Sequence, residues 1–135
     1  METAYLLDTN TVSFIIKGHP SRVRQRLQNV ALEHIAISVI TEAELRFGAA
    51  KKSGARNLKT AVDEFLRRIP ILAWDSAAAQ HYADLCVLLE KSGRPVANLD
   101  LMIAAHALAV GAILVTNDAT LLRIRQLHSE DWTRA

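Results

Sequence analysis

The chain has 135 residues, half of them hydrophobic and 22% charged, with 16 Lys and Arg against 14 Asp and Glu. That length suits one domain spanning residues 1–135, and the apolar share excludes a disordered tail protein. The lone Cys86 excludes a disulfide framework and a cysteine-held zinc site; it is expected to be a small buried hydrophobe, in a protein of the reducing cytoplasm.

The chain starts Met1-Glu2-Thr3, with no basic segment before its short apolar run, so no signal peptide is expected. Ala4–Leu7 reads as a short buried strand ending at Asp8, followed by a helix over Thr11–Ile16 and a turn at Gly18-His19-Pro20. Ser21 is placed to cap a short helix that carries Arg22, Arg24 and Arg26. A second strand, Ile35–Ser38, leads into a helix over Val39–Lys52, and Gly54 separates it from another over Ala55–Arg68, where Val62, Phe65, Leu66 and Ile69 recur at helical spacing. Pro70–Trp74 is strand-like. Asp75 or Ser76 then caps a helix over Ala77–Lys91 that stops at Ser92-Gly93. Leu99–Val110 is apolar almost all round, which predicts a buried helix closed by Gly111. It contains Asp100 and His106 and falls short of the ~20 apolar residues of a membrane span. A strand at Ile113–Thr116, a helix over Ala119–Arg125 and a short edge strand at Leu127-His128 complete the chain. Short apolar strands alternating with helices predict an α/β fold, a three-layer α/β/α sandwich around a short parallel sheet.

In such sheets, ligands bind beyond the carboxyl ends of the strands, where the strand order reverses. Asp8 and Asp118 follow strands, and Asp100 opens the buried helix. Each has a bland reading, as a helix cap or a complement to a helix dipole. Three at the same end of one sheet, among apolar neighbours, weaken that reading. A fourth acid comes from the helix containing Glu42 and Glu44. Glu42 stands one turn before Arg46 and is the solvated partner of an ion pair. Glu44 lies between Ile40 and Phe47 at the edge of the apolar face, one turn from Gly48, and is the acid expected to enter the cleft. Two unit charges 4 Å apart repel by about 4 kcal/mol at an effective dielectric of 20, so such a cluster calls for a cation or for protonation. All-oxygen ligands without clustered His or Cys select Mg²⁺ or Mn²⁺ over zinc, and such ions serve phosphodiester hydrolysis.

These residues stand in an ordered set: Leu7-Asp8-Thr9-Asn10, Thr41-Glu42-Ala43-Glu44-Leu45-Arg46-Phe47-Gly48, Gly93-Arg94-Pro95-Val96, Asp100-Leu101-Met102-Ile103-Ala104-Ala105-His106-Ala107, Val115-Thr116-Asn117-Asp118 and Glu130-Asp131-Trp132. The set resembles the PIN-domain ribonucleases, specifically the VapC toxins of bacterial toxin–antitoxin pairs, over nearly the whole chain. The resemblance implies a Mg²⁺-dependent endoribonuclease in which Asp8, Glu44, Asp100 and Asp118 form the acidic site. Asp8 and Asp100 would hold the principal metal, with Glu44 and Asp118 completing the pocket and aligning the attacking water. It further implies an RNA substrate, a homodimer, and a small antitoxin protein whose tail covers the cleft. The chain departs from the family at Leu121-Leu122, where an aromatic is common after the last acid, and at Leu99, where a small or polar residue is common.

Several other residues have two readings. His106 is expected to be a satisfied core histidine and not a catalytic base. Thr9, Thr116, Asn10 and Asn117 either orient the carboxylates or cap turns. Asp75 is expected to cap a helix, and Trp74 and Trp132 to pack. Arg22, Arg24, Arg26, Arg67, Arg68, Arg123 and Arg125 either follow an RNA backbone or form a solvated face. The formal charge of +2 does not decide it, although eleven of the sixteen cations are arginine. Two rivals come from other classes. One is a phospho-receiver module using Asp75, which leaves Glu44 without a role. The other is a catalytically silent partner-binding domain, against which the four intact acids argue.

Overall fold

The structure, a computed structural model, describes residues 3–51 and 56–134. In chain order it contains β1 (Tyr5–Leu7), α1 (Thr9–Lys17), α2 (Ser21–Gln28), one turn of 3-10 helix (Leu32–His34), β2 (Ile35–Ser38), α3 (Val39–Lys51), α4 (Arg56–Arg68), β3 (Ile71–Leu72), α5 (Ser76–Ser92), α6 (Asn98–Val110), β4 (Ile113–Val115), α7 (Ala119–Leu122) and β5 (Ser129–Glu130). The five strands form one sheet in the order β3-β2-β1-β4-β5, and every pairing is parallel.

Strands of two to four residues are short for a sheet. They persist because both faces are covered. Alternation sends Leu6, Ala36 and Leu114 to one side, in a cluster with Leu85 and Leu89 of α5, Leu101 and Ile103 of α6, and Leu121 of α7. It sends Leu7, Ile35, Ile37 and Val115 to the other, with Val12 and Ile15 of α1, Leu45 of α3 and Val62 and Leu66 of α4. Those two clusters are the three-layer α/β/α sandwich expected from the sequence. Fully burying one such aliphatic side chain is worth about 1.5–3 kcal/mol, so Ile37, with no exposed surface, is a position where truncation to Ala would cost about 2–5 kcal/mol.

Several boundaries differ from the sequence expectation. Ser21 is the first helical residue of α2 and makes no cap; Pro20 holds that position without a side-chain hydrogen bond. The third strand is confined to Ile71–Leu72. Helix α7 ends at Leu122 and does not reach Arg125, because Ile124 and Leu127 both turn into the core. With Leu127 buried, the edge strand moves on to Ser129–Glu130; its pairing begins where Leu114 N donates to the His128 carbonyl at 2.9 Å. Leu99 and Val110, at the two ends of α6, are exposed, while Ile103 to Ala107 between them are buried, His106 included. Cys86 is half-buried and lines a surface recess, so the expectation of a fully buried residue there does not hold. The expected helix end at Lys52, the break at Gly54 and the start at Ala55 lie outside the described residues.

Two features of this topology place the site. Helices α1, α3, α5 and α7 each start within four residues of the end of a strand, so they begin at the strands' carboxyl end, and the charges of Asp8 and Asp118 act there on Asp100 of α6. The chain also leaves β1 in both directions across the sheet, to β2 and β3 on one side and to β4 and β5 on the other. The reversal therefore falls between β1 and β4, where Leu7 registers with Val115. Gly111 sets β4 in that register: at φ 70° it adopts the left-handed conformation that closes α6, its N–H bonded to the carbonyls of Ala107 and Leu108.

Candidate active site

Asp8 directly follows β1 and Asp118 lies three residues beyond β4, on the two strands that flank the reversal. Both are helix caps. Asp8 Oδ1 accepts from Thr11 N at 2.8 Å and Asp118 Oδ1 from Leu121 N at 2.9 Å, each satisfying a first-turn N–H that a helix leaves open. A cap of this kind uses one carboxylate oxygen and leaves the second. Thr116 connects the two acids: its Oγ1 accepts from Asp118 N at 3.1 Å and its hydroxyl hydrogen-bonds the Asp8 carboxylate. Thr116 serves both readings, closing the turn to Asp118 and hydrogen-bonding the Asp8 carboxylate. Asn10 and Asn117 are exposed.

Asp100 sits in the first turn of α6 without capping it; Ala97 occupies the cap position. Its carboxylate accepts no hydrogen bond from the described residues, and it is half-buried. Burial pushes its pKa above the ordinary carboxylate range, and the charges of Asp8 and Asp118 push the same way. Asp8 is raised for the same first reason, burial, which outweighs the hydrogen bonds from Thr11 and Thr116 that favour its charged form; Asp118 adds to the rise. The three acids thus feel one another electrostatically, as members of one cluster.

Glu44, on α3, is not among the groups that act on Asp8 or Asp100; its carboxylate meets Thr9 of α1. Thr9, the residue after Asp8, donates its hydroxyl to Glu44 Oε1, so the orienting reading holds for Thr9 as well. Glu44 and Thr9 line a recess of about 150 Å³ together with Gly48, where a Cβ would meet nothing within 4 Å. Phe47, however, is exposed, so the apolar edge beside Glu44 is not the one the helical spacing suggested. Glu42 pairs with Arg46 at 2.9 Å, as expected, and is half-buried beside it, not fully solvated.

One contact had no signal in the sequence. His106 Nδ1 lies 2.7 Å from Ser38 Oγ, and Ser38 Oγ also accepts from Ile40 N at 3.1 Å, in the first turn of α3. The helix that carries Asp100 is thereby tied to the start of the helix that carries Glu44. Burial holds the His106 pKa below its ordinary value, against the opposing pull of Asp75 and the Ala73 carbonyl. His106 is a buried core histidine, but Nε2 has no partner within hydrogen-bond distance. Asp75 caps α5, accepting from Ala78 N at 3.1 Å. Trp132 is buried against Tyr5, and the Trp74 indole donates to the Met102 carbonyl at 2.9 Å; both pack.

Among the described residues no three His, Cys, Asp or Glu side chains stand close enough to cage a metal by themselves. A hard divalent ion of the Mg²⁺ kind does not require a protein cage, since it is usually held by one or two carboxylates with waters and substrate phosphate oxygens. The donor set fits that ion: carboxylates alone, with Asp8 and Asp100 raised in pKa first by burial, and Asp100 without a hydrogen bond from the described residues.

The PIN domain family matches residues 5–127. The chain is 38% identical to the tRNA(fMet)-specific endonuclease VapC of Shigella flexneri over 130 residues, 96% of this chain and 98% of that protein. It is 36% identical to ribonuclease VapC2 of Rickettsia felis over 132 residues, 96% and 98% of the two chains. The crystal structure of VapBC2 from Rickettsia felis bound to a promoter DNA fragment superposes with a TM-score of 0.87 at 34% identity, covering 96% of this chain and 99% of that one. The chain belongs to the VapC ribonucleases of the PIN domain family. PIN-domain ribonucleases are generally dependent on a divalent metal. No helix among the described residues is long and apolar enough to cross a membrane.

Proposed function

We propose that residues 1–135 form one nuclease domain that cuts RNA with Mg²⁺, Mn²⁺ serving in its place, as the toxin of a toxin–antitoxin pair. The observation that carries this reading is the placing of Asp8 and Asp118 on the two strands that flank the order reversal of a VapC-family sheet, within electrostatic reach of Asp100. Asp8 and Asp100 are the residues assigned to hold the metal, and Glu44 and Asp118 to complete the pocket. When bound, the ion supplies activation of water and neutralises charge on the phosphate. The chain's own groups do the positioning. Thr116 hydrogen-bonds the Asp8 carboxylate and accepts from the backbone N–H of Asp118, and Thr9 holds the Glu44 carboxylate through its hydroxyl. Asp100, which spends neither oxygen on a cap, carries the most freely available charge.

The relatives supply the partners of this reading. The Shigella flexneri protein is named for tRNA(fMet), which is the first RNA to offer. The Rickettsia felis neighbour was solved as a VapBC complex on promoter DNA, which supports a small antitoxin partner here. A homodimer and a cytoplasmic site of action complete the assignment. The test is cleavage of tRNA(fMet) and of a mixed structured RNA pool by the purified chain, with added Mg²⁺ or Mn²⁺ and with EDTA. Metal-dependent internal cuts are expected. Absence of cutting in every condition, or cutting that EDTA leaves intact, would refute the assignment.

A further inference from the structure

Charge on this molecule is not evenly neutralised. Among the described residues, Arg26, Arg46, Arg67, Arg68 and Arg134 pair with carboxylates, and Arg24 spends its guanidinium on the Ile15 and Ile16 carbonyls. Five arginines remain without an acid partner, and three of them, Arg94, Arg123 and Arg125, line a single recess of about 340 Å³ between the end of α5 and the segment following α7. All three are exposed, and no acidic side chain lines that recess. Its rim includes Thr120, two residues beyond Asp118. Through Arg94 and Leu89 it runs into a second recess of about 390 Å³, lined by Glu90, Asn98 and Leu101 among others; Leu101 is the immediate neighbour of Asp100.

We infer that this groove holds the backbone of the RNA strand leaving the cut site, with Arg94, Arg123 and Arg125 on successive phosphates; the inference rests on the nuclease reading above. Three exposed arginines lining one recess that no acidic side chain lines favour an anion there, and the planar fork of arginine matches phosphate oxygens two at a time. The location selects a nucleic acid. An acidic centre repels the polyanion it must cut, and a cationic recess whose rim includes Thr120, two residues beyond Asp118, would hold the strand against that repulsion. The arginines tied to Glu64 and Glu130 on the far face have no such geometry.

The experiment compares Arg94→Gln/Arg123→Gln/Arg125→Gln with a charge-matched control, Arg56→Gln/Arg67→Gln/Arg68→Gln on α4. Binding of a fluorescent single-stranded RNA is measured by anisotropy in EDTA, so that no cleavage intervenes, over a series of KCl concentrations. Each phosphate contact in a single strand contributes about 0.7 to the slope of log Kd against log salt, so losing three should lower the slope by about 2. The control set should keep the wild-type slope, and thermal melting should show both variants folded. An unchanged slope in the groove variant, or an equal drop in the control, overturns the proposal. So does a groove variant that binds RNA normally but loses an acidic peptide, which would give the groove to a protein partner. Because the slope is read without metal, this outcome is separate from that of the nuclease reading, which fails if the wild-type chain makes no metal-dependent cut.

Discussion

Replacing Asp100 by Asn separates a metal-binding acid from a structural one. The change keeps the side chain's shape and removes one charge. Against stability stands the loss of a favourable position in the first turn of α6, worth about 0.3–1 kcal/mol for an acid there. In its favour stands relief of repulsion from Asp8 and Asp118 and of the burial cost that together hold the Asp100 pKa up. Two charges about 8 Å apart at an effective dielectric of 20 repel by about 2 kcal/mol, which solvent reduces for a half-exposed group. Because no hydrogen bond from the described residues is lost, the two sides leave the metal-free protein as stable as before or more so. Activity should move the other way. Losing a metal-holding carboxylate should slow Mg²⁺-dependent cleavage by at least about 100-fold, or about 2.7 kcal/mol of transition-state stabilisation. Asp75→Asn is the matched control: Asn caps about as well as Asp, so activity and melting should stay near wild type. The assays are cleavage of the RNA pool and thermal melting in EDTA. Cleavage by Asp100→Asn above about a tenth of the wild-type rate corresponds to less than ~1.4 kcal/mol and would remove Asp100 from the metal.

Three further outcomes follow from the same contacts. Mg²⁺ at ~100 times its dissociation constant should stabilise the protein by about 2.7 kcal/mol, raising Tm by roughly 3–5 °C per kcal/mol at this size; an unchanged Tm with no heat of binding in calorimetry would remove the metal site from the free protein. In EDTA, Asp8 and Asp100 bind protons more tightly folded than unfolded, so their contribution should weaken as pH rises through their raised folded pKa values and be constant above them; in the Asp100→Asn protein that part of the slope should shrink, and melting across mildly acidic buffers reads it. Thr9→Val should cut activity about tenfold with little change in Tm, while Thr9→Ser, which keeps the hydroxyl that holds Glu44, should retain it; equal loss in both variants would sever Thr9 from Glu44 in function.

The layers and the acids were legible in the sequence for different reasons. Alternating strands and helices fix a parallel, two-sided sheet, and a helix that directly follows a parallel strand starts at the strands' carboxyl end. Asp8 and Asp118 could therefore be placed together before any geometry was known. Element ends were less legible where the tertiary core overrode local pattern. The residues after Asp118 read as one helix through Arg125, but Ile124 and Leu127 are drawn into the cluster around Leu114, which stops α7 and shifts the edge strand by two residues. Phe47 has helical spacing with Leu45's neighbours and is nonetheless exposed. The bond between Ser38 and His106 joins positions 68 residues apart, and no local spacing encodes such a pair. Arginine partners were equally hidden, because whether Arg26 or Arg123 is neutralised depends on which acid the fold delivers to it.

Capping and metal binding are often weighed as rival readings of an aspartate at a strand-to-helix junction, and on the function proposed above one carboxylate serves both. A cap fixes a single oxygen and, with it, the direction of the other, so Asp8 and Asp118 are oriented by the same backbone N–H groups that they satisfy. The positive ends of α1 and α7 then lie behind the cluster and partly offset its repulsion before any cation arrives. Asp100 has no such tether, and burial together with the charges of Asp8 and Asp118 disfavours its charged form. A site of two restrained acids and one unrestrained acid is thus strained in the absence of a cation and relieved by one. That asymmetry is why substitution at Asp100 should improve the metal-free fold, whereas substitution of either capping acid by Ala should damage it by about 1 kcal/mol through the lost cap alone.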